Sequence, residues 1–138
     1  MQELTADFFC RNTVAIAQEL LGKVMYVNGL LVRIVETEAY GQDPASHAFT
    51  KTKRSALMYD TFGHVYVYLI YGMYYCVNIT TEPIGEPGAV LIRAVEPMSG
   101  IKEMIKARGT DKLINLCSGP GKLCEALGIT TDFNGLKL

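Results

Sequence analysis

Two runs rich in β-branched and aliphatic residues, KVMYV and LLVRIVETEAY, are separated by only Asn28 and Gly29. That dipeptide suits both positive-φ positions of a type I′ turn, whose backbone twist matches that of paired strands. The chain is therefore committed to an antiparallel hairpin with a two-residue loop. Along the second run Leu30, Val32 and Ile34 share one side by period two, and that side reads as a core face.

The rest of the chain adds strands and few helices. TVAIAQELL, residues 13–21, has helical spacing: Val14, Ala17 and Leu21 fall on one face with Ile16 and Leu20 beside it, and Gly22 suits the C′ position. Residues 41–63 read as a long loop with one helical turn at Arg54–Met58, and long loops in compact domains are often functional. GHVYVYLIYGMYYCVNIT is a strand or strand pair interrupted at Gly72. A turn-rich TTEPIGEPG leads to a further strand, AVLIRAVEP. Ser99 can cap a helix carrying Ile101, Met104 and Ile105. A last helix opens at SGPGKLCEALG, with Pro120 in its first turn and Gly128 as its stop. The tail ITTDFNGLKL shows no closing element. These elements describe an α+β protein, a single domain over residues 1–138 with a curved, mainly antiparallel sheet and flanking helices.

Composition restricts the function classes. The formal charge is −1, so any nucleic-acid partner must be held by a local patch rather than a global basic field. Lysines and arginines do cluster, at Lys51, Lys53 and Arg54 and again at Lys102, Lys106, Arg108 and Lys112; such clusters are commonly no more than solvated faces. Four widely spaced cysteines form no C-x-x-C pair, and with two histidines the usual zinc-ligand spacing is missing, so no metal or cofactor is expected. The opening MQELTADFFCRN is not a signal peptide and no long apolar span occurs, so an intracellular protein without a membrane partner is expected.

Several constellations could carry chemistry. Glu36 and Glu38 stand two apart on the strand, which in a regular ladder puts both on the face of Leu30, Val32 and Ile34. A carboxylate pushed toward apolar surroundings is suited to act as a general base; alternatively the strand leaves the sheet near Thr37 and both acids meet water. SGPGK, with Lys122, offers free N–H groups at a helix start, either as an anion site or simply as a tight turn. His47 lies in the long loop without a partner pattern, and His64 carries no separate signal. Arg93, inside AVLIRAV, should face a carboxylate or a wet cleft. Five of the eight tyrosines crowd into YVYLIYGMYYCVN. Tyr66 and Tyr68 share a face, while Tyr71 beside Gly72 could be thrust outward. The rings are either sheet packing or, at Tyr40 and Tyr68, faces for a planar ligand.

Taken together, IVETEAY, DPASHAFTKTKR, YVYLIYGMYYCVN, AVLIRAVEP and LCSGPGKLCEALGI, preceded by LTADFFCRNTVAIAQELLGK, closely resemble the alkyladenine (3-methyladenine) DNA glycosylase family. The resemblance implies that Glu38 is the general base that activates water. It implies that Tyr40, His47 and Tyr68 enclose a flipped base and that Tyr71 is the intercalating wedge. Asn78 matches the residue that obstructs the amino group of normal guanine, and Arg93 a DNA-facing arginine beside the pocket. Arg54 and Lys122 are expected to contact DNA. Ser55 departs from the asparagine common in relatives, and family chains usually continue several tens of residues further than GLKL. Tyr66, Tyr74 and Tyr75 are read as sheet packing.

The resemblance implies a monomeric, monofunctional glycosylase acting on double-stranded DNA. It would release alkylated or deaminated purines (3-methyladenine, 7-methylguanine, hypoxanthine or ethenoadenine) without strand cleavage. It would work in the cytoplasm or nucleoid of a bacterium or the nucleus of a eukaryote. Two rivals share the fold: a non-catalytic lesion-binding fragment, and a module that binds a planar small molecule.

Overall fold

The computed structural model describes residues 3–41, 51–53 and 55–138. Its centre is an open five-stranded sheet in the order β1-β2-β5-β4-β3, antiparallel at every step. The strands are β1 (Val24–Val27), β2 (Leu30–Gly41), β3 (Val65–Ile70), β4 (Tyr74–Thr80) and β5 (Gly88–Pro97). The helices are α1 (Thr13–Leu20), α2 (Ala56–Asp60), α3 (Ile101–Arg108) and α4 (Pro120–Leu127). The α+β reading holds.

The Asn-Gly turn forms as its sequence dictates, with φ of 51° at Asn28 and 81° at Gly29 and Val27 paired to Leu30. Asn28 does more than turn the chain: its Nδ2 donates to the Leu127 carbonyl at 2.7 Å, satisfying an open acceptor at the end of α4. The segment around Gly72 resolves into a second hairpin rather than one interrupted strand. Tyr71 and Gly72 have φ of 53° and 66°, and Met73 N donates to the Ile70 carbonyl at 3.0 Å.

The main core lies between one sheet face and helices α1, α3 and α4, built from Phe9, Ile16, Leu20, Ile92, Met104, Leu123 and their neighbours. On α1 the buried residues are Thr13, Ile16, Ala17 and Leu20, whereas Val14 and Leu21 are exposed. Two apolar stripes overlap on this helix, and the one containing Ile16, Ala17 and Leu20 is the one that packs. Asn12 Oδ1 caps α1 through Ala15 N at 3.1 Å, and Glu82 Oε2 accepts from Thr13 N at 2.8 Å. The one-turn helix expected at Arg54–Met58 forms slightly later, as α2, and sends Met58 into a smaller cluster on the other sheet face with Tyr66 and Ala89.

Two expectations need correction. Ser99 does not cap α3; its Oγ accepts from Leu31 N at 3.0 Å, and the cap position is Gly100. Gly100 has φ of 69°, and a Cβ there would strike the Leu30 side chain, so glycine is needed twice over. The tail also has a place. Gly135 N donates to the Val65 carbonyl and Val65 N to the Leu136 carbonyl, both at 2.7 Å, while Leu138 N reaches the Gly63 carbonyl at 2.9 Å. An edge strand offers unpaired backbone groups, and here the tail answers those of β3.

Candidate active site

The expected placement of the two acids on the core face is overturned by a paired irregularity in the sheet. Ile34 pairs with Val95, Glu36 with Ala94 and Thr37 with Ile92, so β2 carries one extra residue at Val35 and β5 one at Arg93. A bulge of this kind leaves one residue unopposed and reverses the alternation beyond it. Core-facing residues are therefore three apart across this level: Ile34 then Thr37 on β2, Val95 then Ile92 on β5. Thr37 Oγ1 donates to the Ala17 carbonyl of α1 at 2.8 Å, and Ala39 packs on the main core. Glu36, Glu38 and Tyr40 alternate to the opposite face. The strand does not leave the sheet there, because pairing continues to Gly41.

On that face Glu38 is directly opposite Leu91, and Leu91 is opposite Asn78. Two strand spacings put Glu38 and Asn78 roughly 10 Å apart across Leu91. Arg93, the extra residue of β5, reaches Glu38 Oε1 through Nη1 at 2.9 Å. Both side chains remain about half exposed, at 43% and 54%, so the carboxylate stands at the rim of the face rather than in an apolar interior. Arg93 thus has the carboxylate partner that its apolar run demanded.

Tyr40 lies two register pairs beyond Glu38, opposite Ala89, and packs with Tyr68 on the small cluster of Met58, Tyr66 and Ala89. Its hydroxyl donates to Asn78 Oδ1 at 2.7 Å, and Asn78 Nδ2 donates to the Tyr66 carbonyl at 3.0 Å. Burial, then the neighbouring Tyr68 and Tyr66, hold the Tyr40 hydroxyl far above the usual phenol range. Tyr66 and Tyr68 share a face as expected, their ring centroids 5.4 Å apart. Tyr66 is more than packing: its carbonyl anchors Asn78, a role that no side-chain pattern announces.

Tyr71 stands at the tip of the second hairpin, 90% exposed, with Met73 and Tyr74 exposed beside it. The second glycine of SGPGK bears on this hairpin, since a Cβ at Gly121 would come within 3.0 Å of the Tyr74 ring. The start of α4, with Lys122 exposed in its first turn, is thereby set beside the strand that follows Tyr71. A shallow, mainly apolar hollow of about 210 Å³ lies between Tyr74, Tyr75, Cys124 and Ile129, away from Glu38. His47 and Arg54 lie outside the described residues. Among the described residues no three His, Cys, Asp or Glu side chains gather as metal ligands. No disulfide joins any of the four cysteines, and Cys76, Cys117 and Cys124 are buried. No helix among the described residues is long and apolar enough to cross a membrane.

The family model for methylpurine-DNA glycosylase (MPG) matches residues 7–138. A Rhizobium etli protein named "Putative 3-methyladenine DNA glycosylase" is 52% identical over 129 residues, covering 92% of this chain and 63% of the relative. Proteins of the same name from Methanoculleus marisnigri and Clostridium novyi are 48% and 46% identical, over 98% and 100% of this chain and 73% and 76% of their own lengths. The chain thus spans 63% to 76% of the length of these three curated relatives.

Proposed function

This chain belongs to the methylpurine-DNA glycosylase family, and on that premise we propose that it hydrolyses the N-glycosidic bond of alkylated or deaminated purines in duplex DNA. The observation that carries this reading is a single sheet face bearing Glu38, Tyr40 and Asn78, with Arg93 drawn against Glu38.

A base stacked in a duplex is out of reach of such a face, so it must be flipped out, at a few kcal/mol that damage reduces. Tyr71, exposed on a hairpin tip, is the wedge that fills the vacated space. Tyr40 and Tyr68 wall the pocket with His47, and their ring faces favour the positive charge of an N-alkylated purine. Water then attacks the sugar C1′, the C1′–N bond breaks, and its electron pair leaves with the base. Glu38 takes the water proton and offsets the positive charge developing on the sugar. Arg93 orients that carboxylate and, with Arg54 and Lys122, faces the phosphates. The reading needs one protein copy, no cofactor and no lysine nucleophile, so the product is an abasic site in an unbroken strand. Acting on genomic DNA, the protein works inside the cell; the similar proteins named above come from bacteria and an archaeon.

Single-turnover release of 7-methylguanine or 3-methyladenine from duplex DNA tests the proposal. The chain should release the base, and Glu38→Gln should bind the same duplex but act at least about a hundredfold more slowly, the scale of a lost general base. Near-normal release by Glu38→Gln overturns the role of Glu38. Binding without release by the unaltered chain favours a lesion-binding protein instead.

A further inference from the structure

Asn78 is held on both sides. Its Nδ2 donates to the Tyr66 carbonyl at 3.0 Å and, more distantly, to the Cys76 carbonyl at 3.4 Å. Carbonyls only accept, so the nitrogen must face them and the oxygen must face Tyr40. Asn78 is fully buried, and a swing of its amide would strand a polar atom without a partner. The Tyr40 hydroxyl that accompanies Oδ1 comes from β2, with β5 in between. Tyr40 pairs with Ala89 of β5, whose single methyl leaves room for the ring to cross the intervening strand. Because burial keeps the phenol protonated, it remains a donor throughout the working pH range.

Resting on the glycosylase reading above, we propose that Tyr40 is a positioning residue for Asn78 as well as a pocket wall. Its hydroxyl latches the carboxamide, and the latch, more than the bulk of Asn78 alone, sets discrimination against purines that carry a 2-amino group. With both amide protons committed to backbone carbonyls and the oxygen to Tyr40, Asn78 cannot rotate away from an incoming amino group. Without the latch the carboxamide gains rotamers, and the pocket admits the larger base.

Two duplexes that differ only in that group, one with 7-methylguanine and one with 7-methylhypoxanthine, supply the test. The unaltered chain should release the amino-free base faster. Tyr40→Phe should shrink that preference about tenfold, the scale of one hydrogen bond to a buried group. Asn78→Ala should shrink it as much, and the double variant no further. A Tyr40→Phe protein that slows both reactions equally, with the ratio intact, overturns the proposal. The latch has a second readout that needs no catalysis: side-chain amide exchange at Asn78, followed by NMR without DNA. It should accelerate in Tyr40→Phe, and unchanged exchange overturns the latch. If the unaltered chain releases neither base, the glycosylase reading fails while the exchange rate still decides the latch.

Discussion

Arg93 Nη1 meets Glu38 Oε1 at 2.9 Å at the level where both of their strands carry an extra residue. The pair is half exposed, so its contribution to stability is small, about 0–1 kcal/mol. Its value lies in aim. Arg93→Met should leave the urea midpoint nearly unchanged while slowing base release about ten- to hundredfold, as expected when a reacting group loses its position. Arg93→Lys should restore only part of the rate, because a lysine lacks the planar fork. A variant that loses stability and activity together would show that the pair is structural.

Tyr71 offers the opposite separation. It holds φ at 53° while its ring is exposed, a conformation that costs a non-glycine residue about 1 kcal/mol or more. Asparagine tolerates it. Tyr71→Asn should therefore keep or slightly raise thermal stability. Its affinity for a lesion duplex, measured by fluorescence anisotropy, should fall at least about tenfold through lost stacking. Unchanged affinity removes the wedge assignment.

Glu82 tests the scaffold. Its carboxylate accepts from Thr13 N and from Thr13 Oγ1 at 2.8 and 2.7 Å, closing the start of α1 from 69 residues away. Glu82→Ala should cost about 1–2 kcal/mol, the usual loss for a helix cap. Glu82→Gly should cost less than the cap alone implies, since φ at this position is 70°. Urea denaturation of both variants distinguishes the two contributions.

Burial pushes the thiols of Cys117 and Cys124 up to about 11 and about 12. A raised acid holds its proton longer in the folded state than in the unfolded one. Its stabilisation is complete below the unfolded thiol range and is lost as pH climbs toward the folded values. Urea midpoints should thus fall between about pH 8.5 and pH 12. Replacing Cys124 with alanine should flatten that decline relative to its own value at pH 7. An equal slope in the variant would assign the decline to other groups.

Much of this architecture is legible because it is local. Asn28-Gly29, Pro120 and Gly128 each dictate a backbone conformation within a few residues, and each forms as read. What escapes depends on distant strands. Neither Val35 nor Arg93 carries a glycine or proline that would mark a bulge, so a regular alternation put Glu36 and Glu38 on the wrong face. The pairing of residues 135–138 with β3, and the Glu82 cap on α1, are likewise non-local. Helix α1 forms as read, but its buried face does not follow from spacing alone: Val14, Ala17 and Leu21 compete with Ile16, Ala17 and Leu20, and only packing against the sheet decides. The site residues themselves came from ordered motifs, whereas the hydrogen bond from Tyr40 to Asn78 spans 38 positions and has no sequence signature.

The extra residues at Val35 and Arg93 cancel in register, yet each also reverses the direction of the side chains that follow it. Where a residue is gained or lost along β2 therefore counts for as much as which residue it is. Flattening β2 into regular alternation with Val35 retained would exchange its two surfaces beyond that point, sending Glu36, Glu38 and Tyr40 into the packed interior and Thr37 and Ala39 out of it, whereas loss of Val35 would leave them where they are. Among variants of this fold, a single-residue gap should therefore be tolerated better at Val35 than at the positions that follow it, in the middle of a strand whose individual side chains look unremarkable.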